Sequence, residues 1–174
     1  MEPTDVIEAI NAFKSVYEFL KDTKKFLEKS RKRGWKMFSS KKAEAIEKRF
    51  KEGLNGSKNA MESNLWLGKG YAIQAECGIK VNQKFHDLMA LLINHFNEIS
   101  MRLIPEKLDE KLVDHIMSQL KTLEHYATQF KYIQGTKGHT DKEKQALEKI
   151  EDFRVRLWDF YRSMEPYLKP LPQE

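Results

Sequence analysis

Apolar residues recur at alternating spacings of four and three along most of this 174-residue chain, and that period is the strongest constraint on its fold. In the first segment Val6, Ile10, Phe13, Tyr17, Leu20 and Leu27 follow it, with Lys24 in the one gap. Such spacing returns side chains to one face of an α-helix, whereas a strand needs a period of two. A second row, Ala9, Ala12, Val16, Phe19 and Phe26, widens the face enough to meet two neighbouring helices. Thr4, and Asp5 with Glu8 three residues on, make a capping-box start.

The period fades in a basic stretch around Gly34 and resumes after Ser39 and Ser40, which serve as caps. Ala43, Ile46, Phe50 and Leu54 then predict a short helix that the turn-like "GLNGS", Gly53 to Ser57, ends. Ala60, Asn64, Gly68, Ala72, Ala75 and Gly78 next place small residues on one helical face, which lets another backbone come close. From Val81 to Leu103 apolar residues occupy more than one face, which predicts a central helix surrounded by others; Gly78 either breaks or bends the chain before it. Pro105 stops that run. Leu112, Ile116, Leu120, Leu123, Ala127 and Phe130 describe the next helix, ending near Gly135. Thr140 with Glu143 is a capping box for the last, in which Ala146, Ile150, Phe153, Leu157, Phe160 and Met164 repeat the four-three spacing up to Pro166.

The expected fold is all-α: an up-and-down helical bundle of four to five long amphipathic helices plus one short helix, in a single domain over residues 1–165. A proline-containing tail, residues 166–174, lies along the surface. Composition agrees, since 40% hydrophobic residues with ten Phe exclude disorder, and five Pro with eight Gly give little punctuation for a β fold. Cys77 is the single cysteine and forms no intrachain disulfide, and the chain does not start with a basic, then apolar, secretory signal; a reducing, cytoplasmic setting is expected. The longest apolar run, Leu88 to Ile93, falls far short of the about 20 residues that span a membrane.

No motif carries chemistry at a specific spacing. The histidines, His86, His95, His115, His125 and His139, never stand three or four apart, and the only approach to a Glu-x-x-His metal pair is the reversed His95-x-x-Glu98. Helical ribonucleases of the HEPN type carry an Arg followed four to six residues later by His, and no Arg here does. Cys77 lacks a histidine in reach, and Gly68-Lys69-Gly70 has the composition of a phosphate loop without its spacing; glycines used for close helix packing explain it better. Glu106, Asp109, Glu110 and Asp114 alternate with Lys107 and Lys111 at intrahelical distances, the pattern of a solvated face. No catalytic residue, cofactor or metal is therefore expected, and a non-enzymatic protein is. Asn94 and His95, where the central helix turns polar, are the candidate core polar site, with His95 read as a hydrogen-bonded core histidine.

Charge singles out one segment. Net charge is +5, yet Lys21 to Lys51 holds 13 Lys and Arg against four carboxylates, a local +9, so the remainder is net negative. At its centre lies "KSRKRGWKMFSSKK", and Lys29, Arg31, Lys32, Arg33, Trp35, Lys36, Lys41 and Lys42 are the candidate anionic-partner residues. Trp35, Met37 and Phe38 are expected to face inward and close the bundle end, with the cations outward. The leading reading is a regulatory, protein-binding bundle. The alternatives are nucleic acid, through phosphate neutralisation and base stacking, an anionic membrane, or a homo-oligomer. For the membrane reading, "DVIEAINAFKSVYEFL", Asp5 to Leu20, resembles the opening helix of cell-death domains of the HeLo type.

Overall fold

The four-three period becomes five α-helices among the described residues: α1 (Pro3–Lys32), α2 (Ser40–Gln74), α3 (Ile79–Arg102), α4 (Glu110–Thr128) and α5 (Thr140–Met164). Single 3-10 turns cover Pro105–Lys107, Gln129–Tyr132 and Glu165–Tyr167. The structure is a computed structural model that describes residues 3–32, 40–74, 79–132 and 140–171, with side chains over 14–29, 41, 43–70, 80–130 and 141–171. Cys77 and Gly78 lie outside them. α1 begins at Pro3, so Asp5 sits inside the first turn instead of capping it, and proline at a helix start loses no hydrogen bond.

Chain direction alternates from helix to helix. α1 packs antiparallel on α2, with the Arg49 guanidinium 4.4 Å from the Phe26 ring centroid, and antiparallel on α4, where Lys24 meets Asp114 and Tyr17 meets Glu124. α2 and α3 form the next antiparallel pair. α3 and α5 are neighbours although they are not consecutive, so they run parallel: Phe96 stacks near Phe160 at 5.4 Å and His95 near Trp158 at 4.4 Å. After both helices end, Leu103 bridges Leu168, with Ile104 N–H donating to Tyr167 O and Lys169 N–H to Arg102 O. Leu168, in the proline-containing tail, is 5% exposed and belongs to the core.

The heptad positions form that core. Leu112, Ile116, Leu120, Leu123, Ala127 and Phe130 are all buried, as are Ala146, Ile150, Phe153, Leu157, Phe160 and Met164. Lys24 occupies the gap in the α1 seam because its ammonium crosses to Asp114 at 2.8 Å on the facing helix. α1 touches both α2 and α4, the two neighbours its wide apolar face requires.

Two expectations are corrected. The short helix ending at "GLNGS" is the first half of α2, a continuous 35-residue helix. Its glycines face α1: a Cβ on Gly53 would lie 3.1 Å from Leu20 Cδ2, and one on Gly56 3.2 Å from Val16 Cγ2. Each interior glycine costs about 1 kcal/mol of helix propensity, and the close approach of α1 offsets it. Ser57 Oγ donates to Gly53 O at 2.8 Å, so its buried hydroxyl is satisfied within the helix. The second correction concerns the centre. α3 keeps an exposed polar stripe, Lys80, Gln83, Asp87, Asn94 and Asn97, and packs mainly on α2 and α5; α2 touches α1, α3, α4 and two of the 3-10 turns. Gly68 makes one of those contacts, since a Cβ there would stand 2.6 Å from Phe130 Cβ and 3.2 Å from Phe130 O.

Candidate functional site

Antiparallel packing of α1 on α2 folds the basic segment back on itself. Lys21, Lys25 and Lys29 on the last turns of α1, and Lys41 and Lys48 on the first turns of α2, are exposed and form no ion pair among the described residues. Three other cations of the segment are used internally. Lys24 bridges to Asp114, which holds its ammonium above the ordinary lysine range; Arg49 covers Phe26; and Lys51 pairs with Glu47 one turn away at 2.8 Å. Cations at the C-terminus of α1 also oppose the partial negative charge of its free carbonyls.

Of the candidate residues, Lys29 and Lys41 are exposed, Arg31 and Lys32 close α1, and Lys42 lies in the first turn of α2. Arg33, Trp35 and Lys36 lie outside the described residues, as do Met37 and Phe38, and with them the expected inward cap.

The acidic start of α4 abuts this end and is the solvated face expected of it, with Glu106, Lys107, Lys111 and Asp114 exposed. Asp109 caps the helix, its Oδ1 accepting from Leu112 N–H at 2.9 Å. Lys107 Nζ donates to Pro166 O at 2.8 Å, and Asp114 pairs across to α1. The partners of Lys107 and Asp114 lie on other elements, which spacing along one helix cannot show.

Asn94 and His95 do not form a common site. Asn94 is exposed, while His95 is 5% exposed, because consecutive helical residues diverge by about 100°. His95 is also not held by a hydrogen bond at Nδ1, which is buried and has no partner. Aromatic edges hold it instead: its ring meets Trp158 at 4.4 Å and Tyr161 at 4.6 Å, both near perpendicular. Burial pushes its pKa below the ordinary 6.5, against the smaller opposing pull of Glu98. Beside it Tyr161 OH donates to Glu98 Oε1, and Arg102 donates to the same oxygen at 2.8 Å and to Lys169 O at 2.8 Å. Donation by Tyr161, with the Arg102 charge, holds the Glu98 carboxyl below the usual range. These groups tie α3, α5 and the tail together.

Elsewhere the surface offers furrows. One of about 370 Å³ follows the glycine crossing of α1 and α2, lined by Val16, Phe19, Gly53, Gly56 and Ala60 among others. Another, about 360 Å³, lies between α4 and α5 beside His125, Tyr126 and Glu148. Among the described residues no three His, Cys, Asp or Glu side chains converge as metal ligands, and no helix is long and apolar enough to cross a membrane.

Comparison of the chain with protein-family models, with curated proteins and with solved structures gives no match.

Proposed function

We propose that this protein is a regulatory interaction bundle that binds an acidic protein surface through its basic end. The observation that supports this reading is the juxtaposition of the two arms of the basic segment: exposed lysines far apart in the chain, Lys21 to Lys29 and Lys41 to Lys48, share one end of the bundle. Exposed cations held on rigid helices keep their charge density when a partner docks, and steer it electrostatically. Within Lys21 to Lys51 the 13 Lys and Arg outnumber the four carboxylates, and at the adjoining start of α4 Asp109 already caps the helix and Asp114 pairs with α1.

Charge reversal tests this directly. Arg31, Lys32, Arg33 and Lys36 changed together to Glu lie at or beyond the end of α1, away from the core, so the variant stays folded with a melting temperature lowered only by the lost helix-dipole interaction. It loses the partner recovered by affinity capture from the native cell at moderate salt. Capture is analysed for protein, nucleic acid and lipid together. Recovery of RNA or of anionic lipid as the charge-dependent species replaces the protein reading by one of the other two. Identical recovery by wild type and variant removes the basic end from function altogether.

A further inference from the structure

Lys69, in the second half of α2, is only 8% exposed, and among the described residues it is the single charged side chain in the buried set. Its Nζ lies 2.9 Å from His86 Nε2 on α3 and 4.7 Å from the Trp66 ring centroid one turn earlier on α2. No carboxylate of the described residues pairs with it. The contrast with the other half-buried cations is plain, since Lys24 has Asp114 and Arg102 has Glu98. An ammonium withdrawn from water costs several kcal/mol unless an anion faces it. His86 Nε2 accepts one N–H and the indole face attracts the charge weakly. Neither supplies the missing negative charge.

Both groups beside the Lys69 ammonium reach solvent. His86 is exposed, and Trp66 is 54% exposed, the largest aromatic surface the described residues leave to solvent. An ammonium, the imidazole acceptor that orients it and a largely exposed indole thus gather between α2 and α3. Charge-assisted hydrogen bonds to an oxyanion and stacking on tryptophan are the interactions these groups make.

We propose that Lys69, His86 and Trp66 form a binding site for the oxyanion of a ring-bearing ligand, the chemical class that includes nucleoside monophosphates and aromatic carboxylates. The phosphate or carboxylate accepts from Lys69 Nζ, which His86 Nε2 orients by accepting another of its N–H groups, and the ring lies on Trp66. The site is independent of the basic end: Lys69 is a helix-interior residue on the far half of α2, and no binding loop is involved.

Titration of the full chain by calorimetry and intrinsic tryptophan emission tests the site, with adenosine monophosphate, benzoate, inorganic phosphate and acetate as probes. One of the two ring-bearing anions is expected to bind saturably and more tightly than its ring-free counterpart, with an emission change that Trp66→Phe abolishes. Lys69→Met, which keeps the volume and removes the charge, weakens binding by at least about tenfold and raises the melting temperature. His86→Ala, at an exposed position, removes the acceptor that orients Lys69 and weakens it as well. Absence of saturable binding by every probe overturns the proposal, as does unchanged affinity in Lys69→Met. A lower melting temperature for Lys69→Met together with no binding shows instead that Lys69 and His86 make a packing contact only.

Discussion

His95 shows how one residue can be read correctly for burial and wrongly for its partner. Its position on the Leu88, Leu92, Ile99 face places it in the core, and a buried imidazole ordinarily finds a hydrogen bond. The edges of Trp158 and Tyr161 come instead from α5, more than sixty residues away in sequence, so no local pattern announces them. Burial lowers the pKa of His95, and likewise that of His115, whose ring contacts Ser163 Oγ at 2.8 Å. A histidine held neutral in the fold and free to protonate when unfolded adds stability that is full above its unfolded value of 6.5 and is lost as pH falls below it. The melting temperature is therefore expected to drop between about pH 7.5 and about pH 5.5, and His95→Phe to shrink that drop. Thermal melts of both proteins across the range check it, and parallel curves would remove His95 as a source. Glu98 acts in a lower window, since its depressed carboxyl pKa gives stability that is lost only as acid titrates it.

At the scale of elements, α2 is where local signals and packing conflict. "GLNGS" contains two helix-disfavouring glycines and has the composition of a turn, yet the helix continues because α1 crosses at those residues and burial there outweighs the propensity loss. The glycines differ in what they exclude. Gly53 faces the far end of a leucine side chain that can rotate away, whereas Gly68 faces the Cβ and carbonyl of Phe130, which cannot. Gly68→Ala is accordingly expected to cost about 1–3 kcal/mol, and Gly53→Ala to lie within about 1 kcal/mol of neutral, as urea titration would show. Equal effects at both positions would mean that the Gln129–Tyr132 turn shifts freely. The same element carries Lys69, legible in the sequence as a lysine beside the small-residue stripe but discounted there because Gly68-Lys69-Gly70 lacks phosphate-loop spacing. A helix places Lys69 and His86 together by packing, which no spacing rule within α2 contains.

Over the whole molecule the alternation of chain direction brings the ends of α1, α3 and α5 and the starts of α2 and α4 to one end of the bundle. The basic segment, the acidic start of α4 and the returning tail therefore meet there. Leu168 closes that end, and Leu168→Ala is expected to lower stability by about 2 kcal/mol, the low side for a buried leucine because a terminal segment relaxes easily. Denaturant melts check it; no change would mean that the Leu103–Leu168 bridge contributes nothing to the fold. The sequence by itself determined that the chain is helical, which side chains of α4 and α5 are buried, and that the excess charge sits between residues 21 and 51. Each of these follows from a period or a count along the chain. Tertiary structure alone decided that α2 runs unbroken, that α3 and α5 lie parallel, that His95 rests on aromatic edges apart from Asn94, and that Lys69 faces His86 without an anion. Each of those depends on which helix faces which, a choice made by competing burial energies summed over the whole core rather than by the residues of any one segment.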